Sequence, residues 1–424
     1  MARIDRRTFL GSAGLAAGAT LTSSFQPARA VGANDRVRVA VIGCRSRGND
    51  LAKLFASNKG ADVVAICDID ESMLGKTVSA VEKITGTAPR TEKDFRKLLD
   101  DRSIDAIVNA TPDHWHALIA VMACQAGKDV YTEKPASHNV VEGRRMIQAA
   151  RKYDRVMQVG TQRRSMEHVK AAVEHVHAGG VGDVGMARAW ILQKRPAIGP
   201  GKPAEVPPGV DYAMWQGPAL DRPFMSNRFH YNWHWFWNWG TGELGNNGIH
   251  GLDVARWGLG VDAPLTVSSS GGLFVFDDRE VPDTQIVTYE FPHAALVWEH
   301  RLYDKHPMEG LGFGIAFYGD KGVLTIDEKG WKVQDGAEAG GKATEGLSAH
   351  LANFVDCVKT RNAPNAEIEI GHLSTRLCHL GNIAHKVGRK LTFDAATESF
   401  PGDVQANALL SREYSSRFEM PSAV

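Results

Sequence analysis

The 424-residue sequence predicts an α/β fold whose first half is a doubly wound parallel sheet. Between Arg36 and Gly160, short and almost wholly apolar runs alternate with helix-like segments. Strands that are apolar on both faces and separated by helices are typical of a parallel sheet covered on both sides. After Gly160 this alternation stops, and long runs with internal turn signals predict antiparallel hairpins. The length favours two domains.

The elements of the first half follow one another in a regular order. The predicted strands are RVAVIG, DVVAICD, DAIVNAT, DVYTEK and RVMQVG. The predicted helices are GNDLAKLFASN, ESMLGKTVSAVEKI, DFRKLLDD, HALIAVMACQAGK and VVEGRRMIQAARKY. Ligands of a doubly wound sheet bind beyond the carboxyl ends of its strands. The residues that end these runs are therefore the first candidates for a binding site.

The second half mixes helices, hairpins and one irregular stretch. A helix in HVKAAVEHVHAGG precedes a strand in GMARAWILQK, and a stretch rich in proline and tryptophan runs from Arg195 to Gly242. A helix in GIHGLDVARWGLG comes next, and the hairpins are TQIVTYEFPHAALVWEHRLY and FGIAFYGDKGVLTIDEKGWKV. The segments SAHLANFVDCVKTR and HLSTRLCHLGNIAHKVGR predict amphipathic helices near the end of the chain.

Residues 1–30 predict an export signal that is removed from the mature protein. Arg6 and Arg7 precede a short segment rich in glycine and alanine, and Ala28 and Ala30 form a small-x-small cleavage site. The paired arginines favour the twin-arginine export machinery and a periplasmic or otherwise exported location. An ordinary secretory signal that happens to hold two arginines is the alternative.

The composition excludes several classes of partner. Removing residues 1–30 takes away four arginines and one aspartate, so 45 basic and 48 acidic residues remain. Without a basic stripe we expect no nucleic-acid partner. No later apolar run is long enough to span a bilayer, so we expect no stable membrane insertion after cleavage. The five cysteines are scattered and lack C-x-x-C spacing, which indicates neither a disulfide framework nor a zinc site.

The stretch VRVAVIGCRSRG departs in one place from the dinucleotide-binding pattern G-x-G-x-x-G. Gly43 and Gly48 supply the tight turn and the close approach of helix and strand, but Arg45 replaces the middle glycine. One interpretation is that Arg45 pairs with a diphosphate; the other is a fold that has lost its nucleotide. Asp68 ends the second strand at a distance suited to ribose hydroxyls, and it favours NAD, with NADP as second choice.

Three further motifs carry a family resemblance. They are NATPDHWH at Asn109 to His116, TEKP with Glu133 to Pro135, and NNGIHGLDVARW at Asn246 to Trp257. Together with the glycine loop they resemble the glucose–fructose oxidoreductase, inositol dehydrogenase and rhizopine-catabolism (Gfo/Idh/MocA) family, over essentially the whole mature chain. The resemblance implies a Rossmann domain at residues 31–160. It also implies a C-terminal α/β substrate and oligomerisation domain at residues 161–424, with a largely antiparallel open sheet.

The resemblance also implies a site and an assembly. The cleft between the domains would hold the nicotinamide near the E-K-P loop, and the open sheet would join copies of the chain in a homo-oligomer. The residues expected to bind the cofactor are Gly43, Arg45, Ser46, Arg47, Gly48, Asp68, Thr111, Pro112, His116, Glu133, Lys134 and Gln162.

Lys134 and His250 are the candidate catalytic residues. Hydride transfer from an alcohol needs one group to take the hydroxyl proton and another to steady the oxygen. A buried lysine at a strand end can have a lowered pKa and act as an acid or base; its alternative role is an ion pair with Glu133. The family pattern has an aspartate where this chain has Asn246, which cannot take a proton. The proton therefore goes to His250 or Lys134.

The stretch RFHYNWHWFWNWG holds four tryptophans at alternating positions, Trp233 to Trp239. An extended backbone would put them on one face, where one or two could stack on a sugar while the others fill the core. His230 and His234 are four apart, but no third ligand lies at a telling spacing, so we expect no metal. The candidate substrate residues are Arg163, Tyr231, Trp233, Asn246, Asn247 and His250. His372 and His379 share a helix face whose position the sequence does not fix.

The leading hypothesis is an exported NAD-dependent oxidoreductase that acts on a carbohydrate hydroxyl. Little free cofactor is found outside the cytoplasm, so such a protein would hold its own NAD tightly. One alternative is a redox-neutral glycosidase that oxidises a sugar carbon transiently, as some relatives in this family do. Another is a non-catalytic carbohydrate-binding protein with a vestigial nucleotide fold, which Arg45 and Asn246 would suit.

Overall fold

The computed structural model describes residues 35–334, 340–421 and 424. The predicted export signal at residues 1–30 lies outside the described residues. The described chain contains two sheets with helices against them, a parallel one first and a largely antiparallel one second. The predicted fold class is confirmed in both halves.

Six strands of the described chain form the parallel sheet, in the order β3-β2-β1-β4-β5-β6. The strands are β1 (Val37–Ile42), β2 (Ala61–Cys67), β3 (Arg90–Glu92), β4 (Ala106–Asn109), β5 (Asp129–Thr132) and β6 (Met157–Val159). This is the strand order of a dinucleotide-binding doubly wound sheet, with its crevice where the order reverses at β1 and β4. The edge strand β3 was not predicted, because its residues are polar and largely exposed.

Helices cover both faces of this sheet, as the alternating pattern predicts. They are α1 (Arg47–Ser57), α2 (Glu71–Thr85), α3 (Arg96–Asp100), α4 (Asp113–Gln125) and α5 (Val140–Lys152), and a 3-10 turn (Gln162–Ser165) leads to α6 (Glu167–His177). Asp70 and Asn139 cap α2 and α5 by accepting backbone N–H groups of the first turn. The helices thus begin where the sequence places short polar side chains.

Nine of the described strands form the second sheet. They are β7 (Val184–Leu192), β8 (Thr266–Gly272), β9 (Thr284–Glu290), β10 (Ala295–Arg301), β11 (Phe313–Gly319), β12 (Gly322–Asp327), β13 (Gly330–Gln334), β14 (Gly340–Lys342) and β15 (Leu391–Thr392). Their order is β14-β13-β12-β11-β7-β10-β9-β8-β15, and among these strands β7 and β10 alone pair in parallel. The predicted hairpins correspond to β9–β10 and β11–β13.

The remaining elements follow β7 in chain order, between or after the strands of the second sheet. They are α7 (Tyr212–Gln216), a 3-10 turn (Asn232–Trp235), a π-helical turn (Leu244–Gly248), α8 (Ile249–Leu259), α9 (Leu347–Thr360), α10 (Ile368–Val387) and α11 (Val404–Ala408). The 3-10 turn shows that the tryptophan-rich stretch is not extended, so its four tryptophans do not share one face. An extended backbone would have put all four on one face, but Asn232–Trp235 form a 3-10 turn.

The core of the first sheet includes a helix from the far end of the chain. Leu351 and Phe354 of α9 belong to the same apolar cluster as Val39 of β1 and Phe55 of α1. The rings of Phe55 and Phe354 meet edge to face, with their centroids 6.2 Å apart. A helix that lies between β14 and β15 of the second sheet in chain order therefore packs against the first sheet, and the predicted boundary at residue 160 remains a prediction.

Candidate active site

One cavity of about 350 Å³ lies at the carboxyl edge of the parallel sheet. Every residue predicted to bind the cofactor lines it: Gly43, Arg45, Ser46, Arg47, Gly48, Asp68, Thr111, Pro112, His116, Glu133, Lys134 and Gln162. So do four of the predicted substrate residues, Tyr231, Trp233, Asn246 and His250. The two halves of the chain thus contribute to a single cleft, although the roles of these residues stay predictions.

The turn after β1 has room only for glycine at two positions. Gly43 has a φ of +80°, and a Cβ there would lie 2.8 Å from the carbonyl oxygen of Ala110. A Cβ at Gly48 would lie 1.7 Å from the carbonyl oxygen of Gly43. The two glycines let β1 run directly into α1, so that the first amides of this helix face the cavity. Such a turn is suited to a diphosphate.

Asp68 is a buried carboxylate at the end of β2, on the cavity wall. Its Oδ2 accepts the N–H of Cys44 at 2.8 Å, and its Oδ1 accepts the N–H of Asp70 at 3.0 Å. These bonds fix the carboxylate beside the glycine turn, where the ribose of a dinucleotide is bound in folds of this kind. Glycine turn, helix N-terminus and carboxylate together fit NAD.

The two arginines of the turn have different surroundings. The Nε of Arg47 donates to Glu133 Oε1 at 2.7 Å, and Glu133 raises the pKa of this guanidinium. Arg45 is exposed, and its guanidinium carbon lies 5.6 Å from the ring centroid of Tyr231. Glu133 of the E-K-P motif therefore fixes Arg47, while Arg45 stands at the mouth of the cavity in contact with the second half of the chain.

Lys134 extends from the end of β5 toward the π-helical turn. Its Nζ donates to the carbonyl oxygen of Asn246 at 2.7 Å and to Asn246 Oδ1 at 3.2 Å. Burial lowers the pKa of Lys134, and the carboxylates of Glu133 and Asp113 oppose that effect. The lysine thus links the E-K-P loop to the residue that replaces the family's aspartate.

A buried carboxylate behind Asn246 sets the orientation of its amide. Asn246 donates through Nδ2 to Glu243 Oε2 at 3.3 Å, and Asn247 donates to Glu243 Oε1. Gln193 donates to the same Oε1 at 3.0 Å. With its NH₂ turned to Glu243, Asn246 presents its oxygen to Lys134. Sequence reasoning missed Glu243, because no motif separates this glutamate from any other buried one.

His250 lies on the first turn of α8, directly after the π-helical turn. Burial holds the pKa of His250 well below its usual value, and the nearby cations Lys134 and Arg163 act in the same direction. Its Nδ1 is buried and has no hydrogen-bond partner in the described part of the chain. His250 is therefore a neutral imidazole with free hydrogen-bonding capacity beside Lys134.

His116 and Asp113 fix the floor of the cavity. The two ring nitrogens of His116 lie 2.7 Å from the carbonyl oxygen of Pro135 and 2.8 Å from that of Thr111. Asp113 is buried and accepts the hydroxyl of Thr241 at 2.7 Å, and burial raises its pKa. His116 therefore joins the T-P turn to the E-K-P turn. The role of Asp113 was not predicted from the sequence.

Residues 196–240 cross the carboxyl edge of the parallel sheet. The N–H of Asp211 donates to Ile69 O at 3.0 Å, and His230 Nε2 lies 3.0 Å from Asp70 Oδ2. At the start of α4, the N–H of His114 donates to Trp239 O at 3.2 Å. This crossing segment is thus attached to the first domain on both sides of the cavity.

The tryptophans of the crossing segment divide between core and cavity. Trp235 and Trp239 are buried in an apolar cluster with Trp215, while Trp233 lines the cavity. Trp237 is half-buried, with the Nζ of Lys386 4.1 Å from its ring centroid. Two of the four tryptophans are thus buried in the core where most were expected, and one lines the cavity.

Several singled-out residues do not line the cavity. The guanidinium of Arg163 lies over the ring of Phe313 at 4.3 Å, and Asn247 turns toward Glu243, so neither predicted substrate residue is brought in. His372 pairs with Glu398 at 2.8 Å, and His379 contacts Ser137 at 3.4 Å. Other side chains that sequence reasoning missed do line it: Lys93, Phe95, Asp113, Trp115, Met214, Trp215, His230 and His234.

Two kinds of feature are absent from the described residues, a metal-ion cluster and a membrane-spanning helix. No three or more histidine, cysteine, aspartate or glutamate side chains in it are grouped so as to hold a metal ion. No helix in residues 35–334, 340–421 and 424 has the length and apolar character needed to cross a membrane. All five cysteines lie in the described part, where they are buried and not bonded to one another.

Two models of one family match the chain. The Gfo/Idh/MocA model described as oxidoreductase family, NAD-binding Rossmann fold, matches residues 37–161. The model described as oxidoreductase family, C-terminal alpha/beta domain, matches residues 197–273 and 342–420.

Curated relatives match over a shorter part. A glycosyl hydrolase family 109 protein of Stenotrophomonas maltophilia is 38% identical over 140 residues, 31% of this chain and 30% of the relative. Another, from Shewanella pealeana, is 30% identical over 169 residues, 35% of this chain and 37% of the relative. The match thus spans about a third of the length of these relatives.

Solved structures share the fold over most of the chain. The WlbA dehydrogenase from Bordetella pertussis, in complex with NADH and UDP-GlcNAcA, has a TM-score of 0.65 at 20% identity, over 85% of this chain and 99% of that one. The aldose-aldose oxidoreductase from Caulobacter crescentus, complexed with glycerol, has a TM-score of 0.65 at 20% identity, over 84% and 100%.

Proposed function

Because the chain belongs to the Gfo/Idh/MocA family of NAD-binding oxidoreductases, we propose that it transfers hydride between a carbohydrate hydroxyl and a tightly held NAD. One observation carries the proposal: Lys134, Asn246 and His250 meet in the cavity that also holds the glycine turn and Asp68. A cofactor site and a set of proton-handling groups therefore face one another across a single cleft.

The chemistry divides between the cofactor and the chain. NAD, when bound, supplies the acceptor for a hydride. The chain has to hold the substrate hydroxyl, take its proton and steady the oxygen. Gly43, Gly48 and Asp68 would hold the dinucleotide, with Arg47 as the fixed cation beside the turn.

Lys134 is the better proton acceptor of the two candidate catalytic residues. A general base works best when its pKa lies near the working pH. Burial lowers the pKa of Lys134 toward that range, whereas it moves the pKa of His250 well below it. We assign proton transfer to Lys134 and orientation of the hydroxyl to the neutral His250. Asn246 positions Lys134 in place of the family's aspartate.

The first test is the cofactor itself. The folded protein is purified without added cofactor and denatured, and the supernatant is assayed for NAD(H). We expect release of close to one equivalent per chain. If none is released, and added NAD and NADP do not bind either, the proposed function is wrong.

A redox-neutral glycosidase is the second candidate function. It is favoured by the curated relatives, which are glycosyl hydrolase family 109 proteins over the matched 140 to 169 residues. Transient oxidation of a sugar carbon followed by return of the hydride would need the same proton-handling groups. NAD-loaded protein is therefore incubated with free sugars and with aryl glycosides. Lasting nicotinamide reduction supports the dehydrogenase, whereas bond cleavage without net reduction supports the glycosidase.

We also propose that the protein is exported by the twin-arginine machinery and works as a homo-oligomer. Arg6 and Arg7 support the export proposal, and the open second sheet supports the assembly. Replacing both arginines by lysine should retain the protein in the cytoplasm, as cell fractionation would detect. Light scattering of the mature protein measures the subunit number, and a monomer would contradict the second proposal.

A further inference from the structure

His234 occupies the 3-10 turn of the crossing segment and lines the cavity, with only 4% of its surface exposed. Its Nδ1 lies 2.7 Å from the carbonyl oxygen of Tyr231. A carbonyl oxygen only accepts hydrogen bonds, so Nδ1 carries the hydrogen of the ring. This contact fixes the tautomer of the imidazole.

The other ring nitrogen is then a free acceptor. Burial lowers the pKa of His234 to about 3, and the cations Arg195, Lys134 and Arg279 act in the same direction, so the ring is neutral. Its Nε2 is buried and has no hydrogen-bond partner within the described residues. Buried polar atoms of side chains nearly always have a partner, so an unpaired acceptor in a cavity wall points to a donor that arrives from outside.

We propose that Nε2 of His234 accepts a hydrogen bond from one hydroxyl of the carbohydrate substrate and so determines which sugar is bound. This inference rests on the proposed carbohydrate function. The same geometry disfavours a carboxylate at this point, since a carboxylate oxygen would face the nitrogen lone pair. Trp233 and Tyr231, which also line the cavity, provide apolar ring surface next to it for sugar C–H groups.

His234 acts as a specificity residue and not as a second base. Protonating it would add a positive charge to a region that already contains the guanidinium groups of Arg195 and Arg279. A buried acceptor left unpaired is costly, so a substrate that lacks the matching hydroxyl should bind about 10- to 100-fold more weakly. The proton of the reacting hydroxyl still goes to Lys134.

Two substitutions test the Nε2 acceptor of His234 separately from the Nδ1 donor. His234→Asn retains a donor for the Tyr231 carbonyl and removes the Nε2 acceptor, whereas His234→Gln can place its amide oxygen where Nε2 stands. The probes are the methyl α- and β-D-glucopyranosides and galactopyranosides with their monodeoxy analogues, titrated calorimetrically into the NAD-loaded protein. At one hydroxyl, we expect the wild type to bind the complete glycoside about 10-fold or more tightly than the deoxy analogue that lacks it. His234→Asn should lose this affinity ratio, and His234→Gln should keep part of it.

The outcomes are distinguishable from failure of the proposed function. If His234→Asn keeps the wild-type ratio, the inference is overturned while sugar binding still supports the function. If no glycoside binds the NAD-loaded wild type, both proposals fail together. Nitrogen-15 NMR of histidine-labelled wild type gives a readout that needs no ligand. A protonated Nε2 on His234 would overturn the inference even if both variants fold poorly.

Discussion

At the scale of the residue, Lys134 is held by Asn246, and the partner that orients Asn246, Glu243, is one that the sequence does not single out. Its Nζ reaches the backbone and side-chain oxygens of Asn246, and Glu243 orients that side chain in turn. The E-K-P motif made Lys134 a candidate, but only the fold shows that Glu133 is engaged with Arg47. The alternative role of Lys134 was an ion pair with Glu133. Instead, the Lys134 amine donates to Asn246 of the π-helical turn.

Removing the Lys134 amine should abolish turnover and leave the cofactor in place. For Lys134→Met we expect a rate about 10²- to 10⁴-fold lower, the usual worth of general acid–base catalysis. NAD released on denaturation should match the wild type, because Gly43, Gly48 and Asp68 are untouched. Near-normal turnover would remove Lys134 from the mechanism. Lys134→Arg is the matched control, since it keeps the positive charge but cannot give up a proton at ordinary pH.

The pH dependence of sugar oxidation should follow the Lys134 amine. Burial lowers its pKa from the usual lysine value of about 10.4, and the neutral amine takes the hydroxyl proton. We therefore expect kcat/KM to rise with pH and to level off below about pH 10.4. Titration of His250 should add no step to the pH–rate profile near pH 6.5, because the pKa of His250 lies well below that value. An ascending limb that persists unchanged in Lys134→Met would assign it to another group.

At the scale of the element, the β1 turn and α1 depend on a close contact that only glycine permits. A Cβ at Gly48 would lie 1.7 Å from Gly43 O, so Gly48→Ala must displace α1. Overpacking of this kind destabilises the fold by about 1–3 kcal/mol. Because bound NAD would require the undisplaced turn, we expect a loss of NAD affinity of the same order, about 5- to 150-fold. Calorimetric titration of the cofactor-free variant measures it.

A second glycine gives the control for this substitution. Gly75 lies within α2, and a Cβ there would have nothing within 4 Å. Gly75→Ala should therefore stabilise the protein by about 0.5–1 kcal/mol without changing NAD affinity. Equal NAD affinity in Gly48→Ala and the wild type would contradict the tight-turn account.

Elements with a strong apolar period could be predicted, and those without one could not. Five of the six strands of the first sheet, all but β3, and the long helices α5 and α10 fall within a few residues of their predicted limits. Polar β3 and the short β14 carry no apolar signal. The tryptophan-rich stretch alternates like a strand, yet its residues fold into a 3-10 turn because Trp235 and Trp239 pack into one cluster. Tertiary packing outweighed local pattern there.

At the scale of the whole molecule, a buried ion pair links the exit from the first sheet to the second domain. Arg164 Nε lies 2.9 Å from both carboxylate oxygens of Asp253, and Ser374 donates to Oδ1 at 2.6 Å. Asp253 and Arg256 lie three apart on α8, a spacing at which two oppositely charged side chains can pair with each other. They do not, because Arg164 and Ser374 engage the carboxylate while Arg256 turns to Asp262.

Breaking this pair on one side should destabilise the protein strongly. Arg164→Met leaves the Asp253 charge buried without its cation, which costs about 3–5 kcal/mol. The double variant Arg164→Met/Asp253→Leu should recover most of that loss, because no charge remains to be buried. Urea unfolding of the three proteins measures the difference. If the double variant is no more stable than Arg164→Met, the pair is not the cause of the loss.

The cofactor half of the cavity was predictable from sequence, but much of the substrate half was not. Local motifs place Gly43, Asp68 and Lys134 at strand ends, and the strands bring them together. His234 reaches the site only because the long irregular crossing segment passes over the edge of the sheet, and no periodicity in the sequence predicts that path. The return of α9 to the first sheet is equally invisible in the sequence, since its apolar face fits any core.

The crossing segment at residues 196–240 follows the whole parallel sheet in chain order, yet it covers that sheet's carboxyl edge. A dinucleotide in the cavity would therefore lie between the sheet and this segment. We predict that its residence time depends on local opening of the segment as well as on its own contacts. On the proposed function, docking of the segment and loading of NAD are coupled events.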